Sequence, residues 1–162
     1  MLNILTLGDP FLKKTSALVP DINGNIASLI GEMFDAMDRA RGLGLAAVQV
    51  GELIRLFVTL VPRDEPRVFI NPDILETSIE EVSYEEGCLS IPGINADVSR
   101  PASVRVQAWG EKGRPFTLNA DGLLARVIQH EMDHLNGILF IDRLESKKRS
   151  RLITEYQEKL RL

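Results

Sequence analysis

The chain has 162 residues, of which 26% are charged and 44% hydrophobic, and its formal net charge is −4. This size and composition predict one globular domain over residues 1–162, and the net negative charge argues against a protein that binds nucleic acid through bulk electrostatics. No stretch is apolar enough to span a membrane, and the N-terminus lacks the basic start and cleavage site of a signal peptide, so we expect a cytoplasmic protein. The single cysteine, Cys88, has no partner for an internal disulfide.

A turn at 21–24 precedes the first predicted helix, whose hydrophobic residues recur at helical spacing from Ile26 to Met37. Gly42 is expected to cap the end of this helix. Five strand-like runs follow, at 54–60, 68–70, 77–84, 104–109 and 115–118. Because short turns separate these runs, we expect antiparallel pairing.

A second helix is predicted to begin after Asn119 or Asp121, to run to about Leu135 and to end before Gly137. A third helix is predicted over 147–160. The expected fold class is therefore α+β, with antiparallel strands wrapped around a central helix and a further helix at the C-terminus.

The second helix contains a His-Glu-x-x-His pattern, formed by His130, Glu131 and His134. Residues four apart lie on one helical face, so both imidazoles can reach one metal ion, and the adjacent glutamate can carry the protons of a reacting water. These are the only two histidines of the chain. A hydrolytic metal site usually has a third protein ligand, for which the candidates are Cys88 and a downstream acid.

The segment 42–51 is rich in glycine and alanine and includes Gln49. A dinucleotide-binding loop is excluded, because the segment follows a helix instead of joining a strand to one. We therefore predict a close approach of backbone to a substrate, with the Gln49 amide as a hydrogen-bond donor. The alternative is a segment whose small residues serve packing alone.

Three motifs, in this order, resemble those of the peptide deformylase family. They are Gly-Leu-Gly-Leu-Ala-Ala-Val-Gln at 42–49, Glu-Gly-Cys-Leu-Ser at 86–90 and Gln-His-Glu-Met-Asp-His at 129–134. The resemblance extends over nearly the whole chain. It implies a deformylase-like fold and a metal-dependent hydrolase that removes the formyl group from the N-terminal formyl-methionine of nascent polypeptides and releases formate.

The resemblance also implies a role for individual residues. The implied metal ligands are Cys88, His130 and His134, and the implied metal is Fe²⁺, which Ni²⁺, Co²⁺ or Zn²⁺ can replace. The implied catalytic groups are Glu131 as acid and base, the Gln49 side chain, and the Leu89 backbone N–H as oxyanion donors. The implied substrate contacts are Leu43, Gly44 and Val127.

Three positions depart from the common family pattern. Val48 stands where many members have proline, and Asn95 stands where some have an arginine in the cleft. Arg126 replaces an aliphatic residue near the methionine pocket, and we interpret it as a charge at the rim of the cleft whose stem packs on apolar surface.

Two other functions compete with the deformylase interpretation. A zinc endopeptidase would take a third ligand from Glu145 or Glu155. A non-catalytic, metal-stabilised module would bind a partner through the basic stretch 147–151, but the presence of Glu131 and Gln49 argues against it. In a deformylase, the same basic stretch suggests a transient contact with the ribosome.

Overall fold

The computed structural model describes residues 1–162 and has an α+β architecture, as predicted. The helices are α1 (Gly24–Arg39), α2 (Gly122–Leu135) and α3 (Ser146–Leu160). The strands are β1 (Gly44–Ala46), β2 (Leu56–Thr59), β3 (Arg67–Thr77), β4 (Glu81–Cys88), β5 (Ile91–Pro101), β6 (Ser103–Trp109) and β7 (Pro115–Asp121). Short 3-10 helices cover Pro10–Lys13, Ala47–Val50 and Phe140–Arg143.

All paired strands are antiparallel, and they form two sheets. The larger sheet has the strand order β1-β2-β3-β6-β7, whereas β4 and β5 pair only with each other. Helix α2 contacts β1, β2, β6 and β7 of the larger sheet, and also β5 of the smaller one. The helix that carries both histidines therefore lies where the two sheets meet.

The apolar face of α2 forms one core with the larger sheet. Ala125, Ile128 and Leu135 are fully buried against that sheet, where the rings of Phe57 and Phe69 stack with their centroids 4.6 Å apart. Full burial of one such large side chain contributes about 1.5–3 kcal/mol. This packing fixes the rotation of α2, and so it fixes the direction in which its polar residues point.

The end of α1 differs from the prediction at Gly42. The helix ends at Arg39 with Ala40 as its C-cap, and Arg41 adopts the left-handed conformation with φ 57°. The Gly42 N–H donates to the Met37 carbonyl at 2.9 Å, and the Arg41 N–H donates to the Asp38 carbonyl at 3.1 Å. These two bonds form a Schellman motif, in which Arg41 is the left-handed residue and Gly42 follows it. The prediction that Gly42 caps the helix was therefore wrong.

The predicted strand at 77–84 is divided between two strands. β3 ends at Thr77 and β4 begins at Glu81. Between them the Ser78 hydroxyl donates to the Glu80 carbonyl at 2.8 Å and accepts from the Ser103 N–H at 3.1 Å. A serine side chain that bonds to nearby backbone competes with strand pairing, which explains the break.

Two strands were not predicted. β1 lies inside the glycine-rich segment, and β5 contains residues of low strand propensity, including Pro92, Gly93 and Asp97. Nevertheless β5 buries every second residue at its centre, since Ile94, Ala96 and Val98 alternate with exposed residues.

The start and end of α2 agree with the predicted bounds. Asp121 occupies the N-cap position, although its side chain makes no capping bond. Beyond the last turn Gly137 has φ +73°, and a Cβ atom there would lie 2.4 Å from the Lys13 carbonyl oxygen. Glycine is therefore required where the chain leaves α2. None of the three helices is long and apolar enough to cross a membrane.

Candidate metal centre

Three side chains from two elements converge at the junction of the sheets. Cys88 ends β4, and His130 and His134 lie one helical turn apart in α2. Their candidate ligand atoms all lie within 4.8 Å of one another, and Cys88 Sγ is 3.4 Å from His134 Nε2. Ligand atoms on a tetrahedral metal are separated by about 3.3–3.6 Å, so this group of one sulfur and two nitrogens fits a divalent transition metal.

The ring of His130 is oriented by Glu86. His130 Nδ1 is 3.0 Å from Glu86 Oε1. An ionised carboxylate only accepts hydrogen bonds, so Nδ1 carries the hydrogen and Nε2 is left with its lone pair directed at the centre. A partner of this kind typically fixes both the tautomer and the direction of a metal-binding histidine.

Glu86 is itself held by two arginines in the interior. Arg100 donates to both oxygens, at 2.6 and 3.0 Å, and Arg126 donates to Oε2 at 2.6 Å. Burial alone would raise the pKa of Glu86, but the hydrogen bonds from His130 and Arg100 lower this pKa to about 2. Glu86 is therefore ionised beside His130.

The same network continues to the protein surface through Asp133. Asp133 accepts from Arg100 at 3.0 Å and from Arg143 at 3.0 and 2.6 Å. The side chain of Arg143 is 46% exposed. From Glu86 through Arg100 and Asp133 to Arg143 the charges alternate in sign, so each buried charge has an opposite partner.

Arg126 lines the cleft, but the prediction that its charge lies at the rim was wrong. The residue is 8% exposed, and besides Glu86 it donates to the Val98 carbonyl at 2.8 Å and the Val82 carbonyl at 2.6 Å. It therefore ties α2 to β4 and β5. The sequence identified its helical face but not the carboxylate and carbonyls that hold it in the interior.

Glu131 lies beside the ligand group and is 3% exposed. Burial raises the pKa of its carboxyl to about 7. Its Oε1 atom has no hydrogen-bond partner within the protein. A buried carboxyl with a free oxygen next to three metal-ligand atoms is suited to exchanging protons near neutral pH.

Gly44 brings the backbone of β1 close to two side chains of α2. A Cβ atom at this position would lie 2.7 Å from Glu131 Oε2 and 2.8 Å from Val127 Cγ1. Any side chain here would displace Glu131 or Val127. The glycine therefore lets β1 lie directly against the reactive face of α2.

Gln49 is buried in the 3-10 helix that follows β1. Its Oε1 accepts from the Ala46 N–H at 2.9 Å, and its Nε2 donates to Ser90 Oγ at 3.0 Å. Nε2 also lies 3.7 Å from Cys88 Sγ. The amide N–H group therefore faces the ligand group.

A cleft of about 510 Å³ opens over these groups. Eight of the nine residues that the sequence assigned to the site line it: Leu43, Gly44, Gln49, Cys88, Leu89, Val127, His130 and Glu131. The ninth, His134, is fully buried beneath the cleft. Leu89 lies in the turn between β4 and β5, and Asn95 also lines the cleft.

The alternative ligands of an endopeptidase lie elsewhere. Glu145 is exposed between a 3-10 helix and α3. Glu155 is exposed on α3 and pairs with Lys159 at 3.5 Å. Neither belongs to the group of ligand atoms, and Cys88 takes the third place.

Several residues that support the site were not identified from the sequence, namely Glu86, Ser90, Arg100 and Asp133. Glu86 and Ser90 flank Cys88 in one motif, and Asp133 lies within the His-Glu-x-x-His motif. A charged residue inside a motif, such as Glu86 or Asp133, is the available sequence signal for such a partner. Arg100 lies in the strand that was not predicted, so no such signal pointed to it.

Comparisons with known proteins agree with this geometry. Residues 1–150 match the family described as polypeptide deformylase. A peptide deformylase of Brucella suis is 42% identical, over 96% of this chain and 91% of the relative. A peptide deformylase of Treponema pallidum is 49% identical, over 93% of this chain and 92% of the relative.

Solved structures give the same result. The peptide deformylase of Ehrlichia chaffeensis superposes with a TM-score of 0.96 at 38% identity, covering 99% of this chain and 97% of that one. The complex of this deformylase with actinonin also has a TM-score of 0.96, at 39% identity and 100% and 99% coverage. The match in sequence and fold shows that the chain belongs to the polypeptide deformylase family.

Proposed function

We propose that the protein removes the N-formyl group from the N-terminal formyl-methionine of polypeptides, with Cys88, His130 and His134 as ligands of a divalent metal ion. The observation that carries this proposal is the buried Glu131 carboxyl beside the three ligand atoms, with one oxygen free. A metal that only stabilised the fold would not need a proton acceptor at its side. The bound metal would supply Lewis-acid activation of the attacking water and of the formyl oxygen.

Glu131 moves the proton in the proposed reaction. Water adds to the formyl carbon as its proton passes to Glu131, and the same proton then passes to the leaving nitrogen as the C–N bond breaks. The second proton of the water passes from the resulting formic acid to the amine, so the products are formate and an N-terminal ammonium group, and atoms and charges balance. The raised pKa of Glu131, about 7, suits a group that must both accept and return a proton.

Gln49 and Leu89 are the proposed donors to the negative charge that develops on the formyl oxygen. The Gln49 Nε2 group faces Cys88, and Leu89 follows Cys88 in the turn between β4 and β5. Removing one donor of this type typically costs about 10²–10³-fold in turnover. Leu43, Gly44 and Val127 line the same cleft and are the proposed contacts of the methionyl end.

The test is formate release from formyl-Met-Ala compared with cleavage of the unformylated peptide Met-Ala. We expect formate from the first and no hydrolysis of the second. Peptide-bond cleavage without formate release would instead support the endopeptidase alternative.

The proposed native metal is Fe²⁺, with Ni²⁺, Co²⁺ or Zn²⁺ as substitutes. A soft thiolate with two imidazoles can bind any of these four ions, so the donor set fits each of them and does not select one. Metal analysis of protein purified without oxygen tests the proposal, and one equivalent of iron per chain is expected. One equivalent of zinc in protein from the same preparation would contradict it.

We propose that residues 1–162 act as one catalytic domain in the cytoplasm, on nascent chains, without membrane attachment or sequence-specific nucleic-acid binding. The basic stretch 147–151 suggests a transient contact with the ribosome. Arg149 bonds Asp142 at 2.8 Å, which leaves Lys147, Lys148 and Arg151 for such a contact.

A further inference from the structure

The Gln49 amide has two anchors of different kinds. The Ala46 N–H can only donate, so it fixes Oε1 on its side and directs Nε2 towards Ser90 and Cys88. The last torsion of a glutamine side chain has a broad energy profile, and one bond to Oε1 leaves the amide plane free to rotate. The Ser90 hydroxyl accepts one of the two Nε2 hydrogens at 3.0 Å, and this second bond fixes the rotation.

Ser90 is held in place by its backbone. The residue is fully buried, and its carbonyl accepts from the Leu7 N–H at 2.8 Å. Its N–H donates to Cys88 Sγ at 3.4 Å. Both bonds involve only backbone atoms of Ser90, so the hydroxyl is left to accept the hydrogen bond from Gln49.

We infer that Ser90 is a positioning residue. Its hydroxyl holds the Gln49 amide so that the second N–H, on the side of Cys88 Sγ at 3.7 Å, stays where the formyl oxygen would bind. This inference rests on the proposed function, because it assumes that Gln49 donates to that oxygen. Donors that are fixed before the reaction need not reorganise as charge develops, and this is the source of their catalytic effect. The Ser90→Ala substitution removes the hydroxyl while both backbone bonds remain.

The first test compares Ser90→Ala with Ser16→Ala. Ser16 is also a buried serine, but its hydroxyl has no hydrogen-bond partner and lies outside the cleft. We expect Ser90→Ala to lower kcat about tenfold, with KM and metal affinity within about twofold of the unaltered protein. Ser16→Ala should leave all three unchanged. A fall in the metal affinity of Ser90→Ala would overturn the inference, because the residue would then act through Cys88.

A double-mutant cycle separates positioning from a structural effect. Gln49→Ala alone should lower kcat about 10²–10³-fold, and adding Ser90→Ala should lower it no further. An equal tenfold loss from Ser90→Ala in both backgrounds would overturn the inference while leaving the proposed role of Gln49 intact. Full turnover in Gln49→Ala would overturn that role and this inference together, so the two failures are distinguishable.

Nitrogen NMR of the zinc-loaded protein gives a readout that does not depend on turnover. Ser90→Ala should shift the side-chain amide signals of Gln49, while those of Gln107, exposed on β6, should stay in place. Unshifted Gln49 signals would show that the hydroxyl does not hold the amide, and would overturn the inference.

Discussion

Helices α2 and α3 are nearly equal in length, with 14 and 15 residues, but they bury their side chains in different ways. Every residue of α2 from Ala125 to Leu135 is buried, including six polar or charged residues. In α3 only Leu152 and Tyr156 are buried, and the charged residues lie at or near the surface. One helix therefore has a polar face inside the protein, and the other has a polar face towards solvent.

The difference arises from the partners that the rest of the chain supplies. Burying an unpaired polar group costs about 1–3 kcal/mol by mutational measures, and burying an unpaired charge costs more. The polar face of α2 is covered by the β4–β5 hairpin, which supplies Glu86 and Arg100. No comparable layer covers the charged face of α3. A buried polar face with dedicated partners marks the functional helix.

The largest loss of turnover is expected from substitution of Glu131, the residue of α2 whose Oε1 atom has no hydrogen-bond partner. Glu131→Ala should lower turnover of formyl-Met-Ala by about 10²–10⁴-fold, because the proton carrier is lost. The bound metal should remain at one equivalent, since Glu131 is not a ligand.

The matched substitution on the other helix is Glu155→Ala. Glu155 is exposed and pairs only with Lys159, so turnover should stay within about twofold. Near-normal turnover in metal-loaded Glu131→Ala protein would remove the functional distinction between the two helices.

A smaller effect, on metal affinity, is expected from substitution of Glu86, the β4 residue that bonds His130 of α2. Glu86→Gln keeps the size of the side chain but removes the charge that orients His130 and pairs with Arg100 and Arg126. Metal affinity, measured by competition with a chelator, should fall about 10–100-fold. Glu85→Gln is the control, because the neighbouring residue is exposed and does not contact His130. Equal affinities in the two variants would contradict the support that we assign to Glu86.

The contrast between α2 and α3 also explains what sequence reasoning recovered. Both helices were predicted within one or two residues at their ends, because hydrophobic spacing and capping signals are local. The His-Glu-x-x-His motif gave His130, Glu131 and His134 for the same reason. The burial of Arg126 was missed, because it depends on Glu86 and on β4 and β5 carbonyls 28 to 44 positions away. Helical periodicity shows which residues share a face but not whether another layer covers that face.

Arg126 tests the stability of that covering layer. Arg126→Met keeps the apolar stem and loses the bonds to Glu86, Val82 and Val98, while Glu86 retains Arg100. We expect a loss of about 2 kcal/mol in the free energy of unfolding, equivalent to a fall of about 4–8 °C in Tm. The control is Arg105→Met on β6, where an exposed pair with Glu76 at 3.7 Å should contribute less than about 0.5 kcal/mol. Identical Tm values for the two variants would contradict the stabilising role that we assign to the buried Arg126 side chain.

The smallest effect on turnover is expected from the exposed start of α3. Reversing Lys147, Lys148 and Arg151 to glutamate leaves Arg149 in its bond to Asp142 and alters only charges outside the cleft. Turnover of formyl-Met-Ala and Tm should both stay close to those of the unaltered protein, because such surface changes usually alter stability by less than about 0.5 kcal/mol.

The same triple variant decides whether these charges serve the proposed ribosome contact. Co-sedimentation with ribosomes at low salt should be lost, since such binding depends on cations that displace counterions from phosphates. The control reverses three exposed cations elsewhere, namely Arg63, Lys112 and Arg114, and so imposes the same change in net charge. If the control also loses binding, overall charge governs the association and α3 has no specific part in it. If neither variant loses binding, the polar face of α3 is a solvated surface, which would make its contrast with α2 complete.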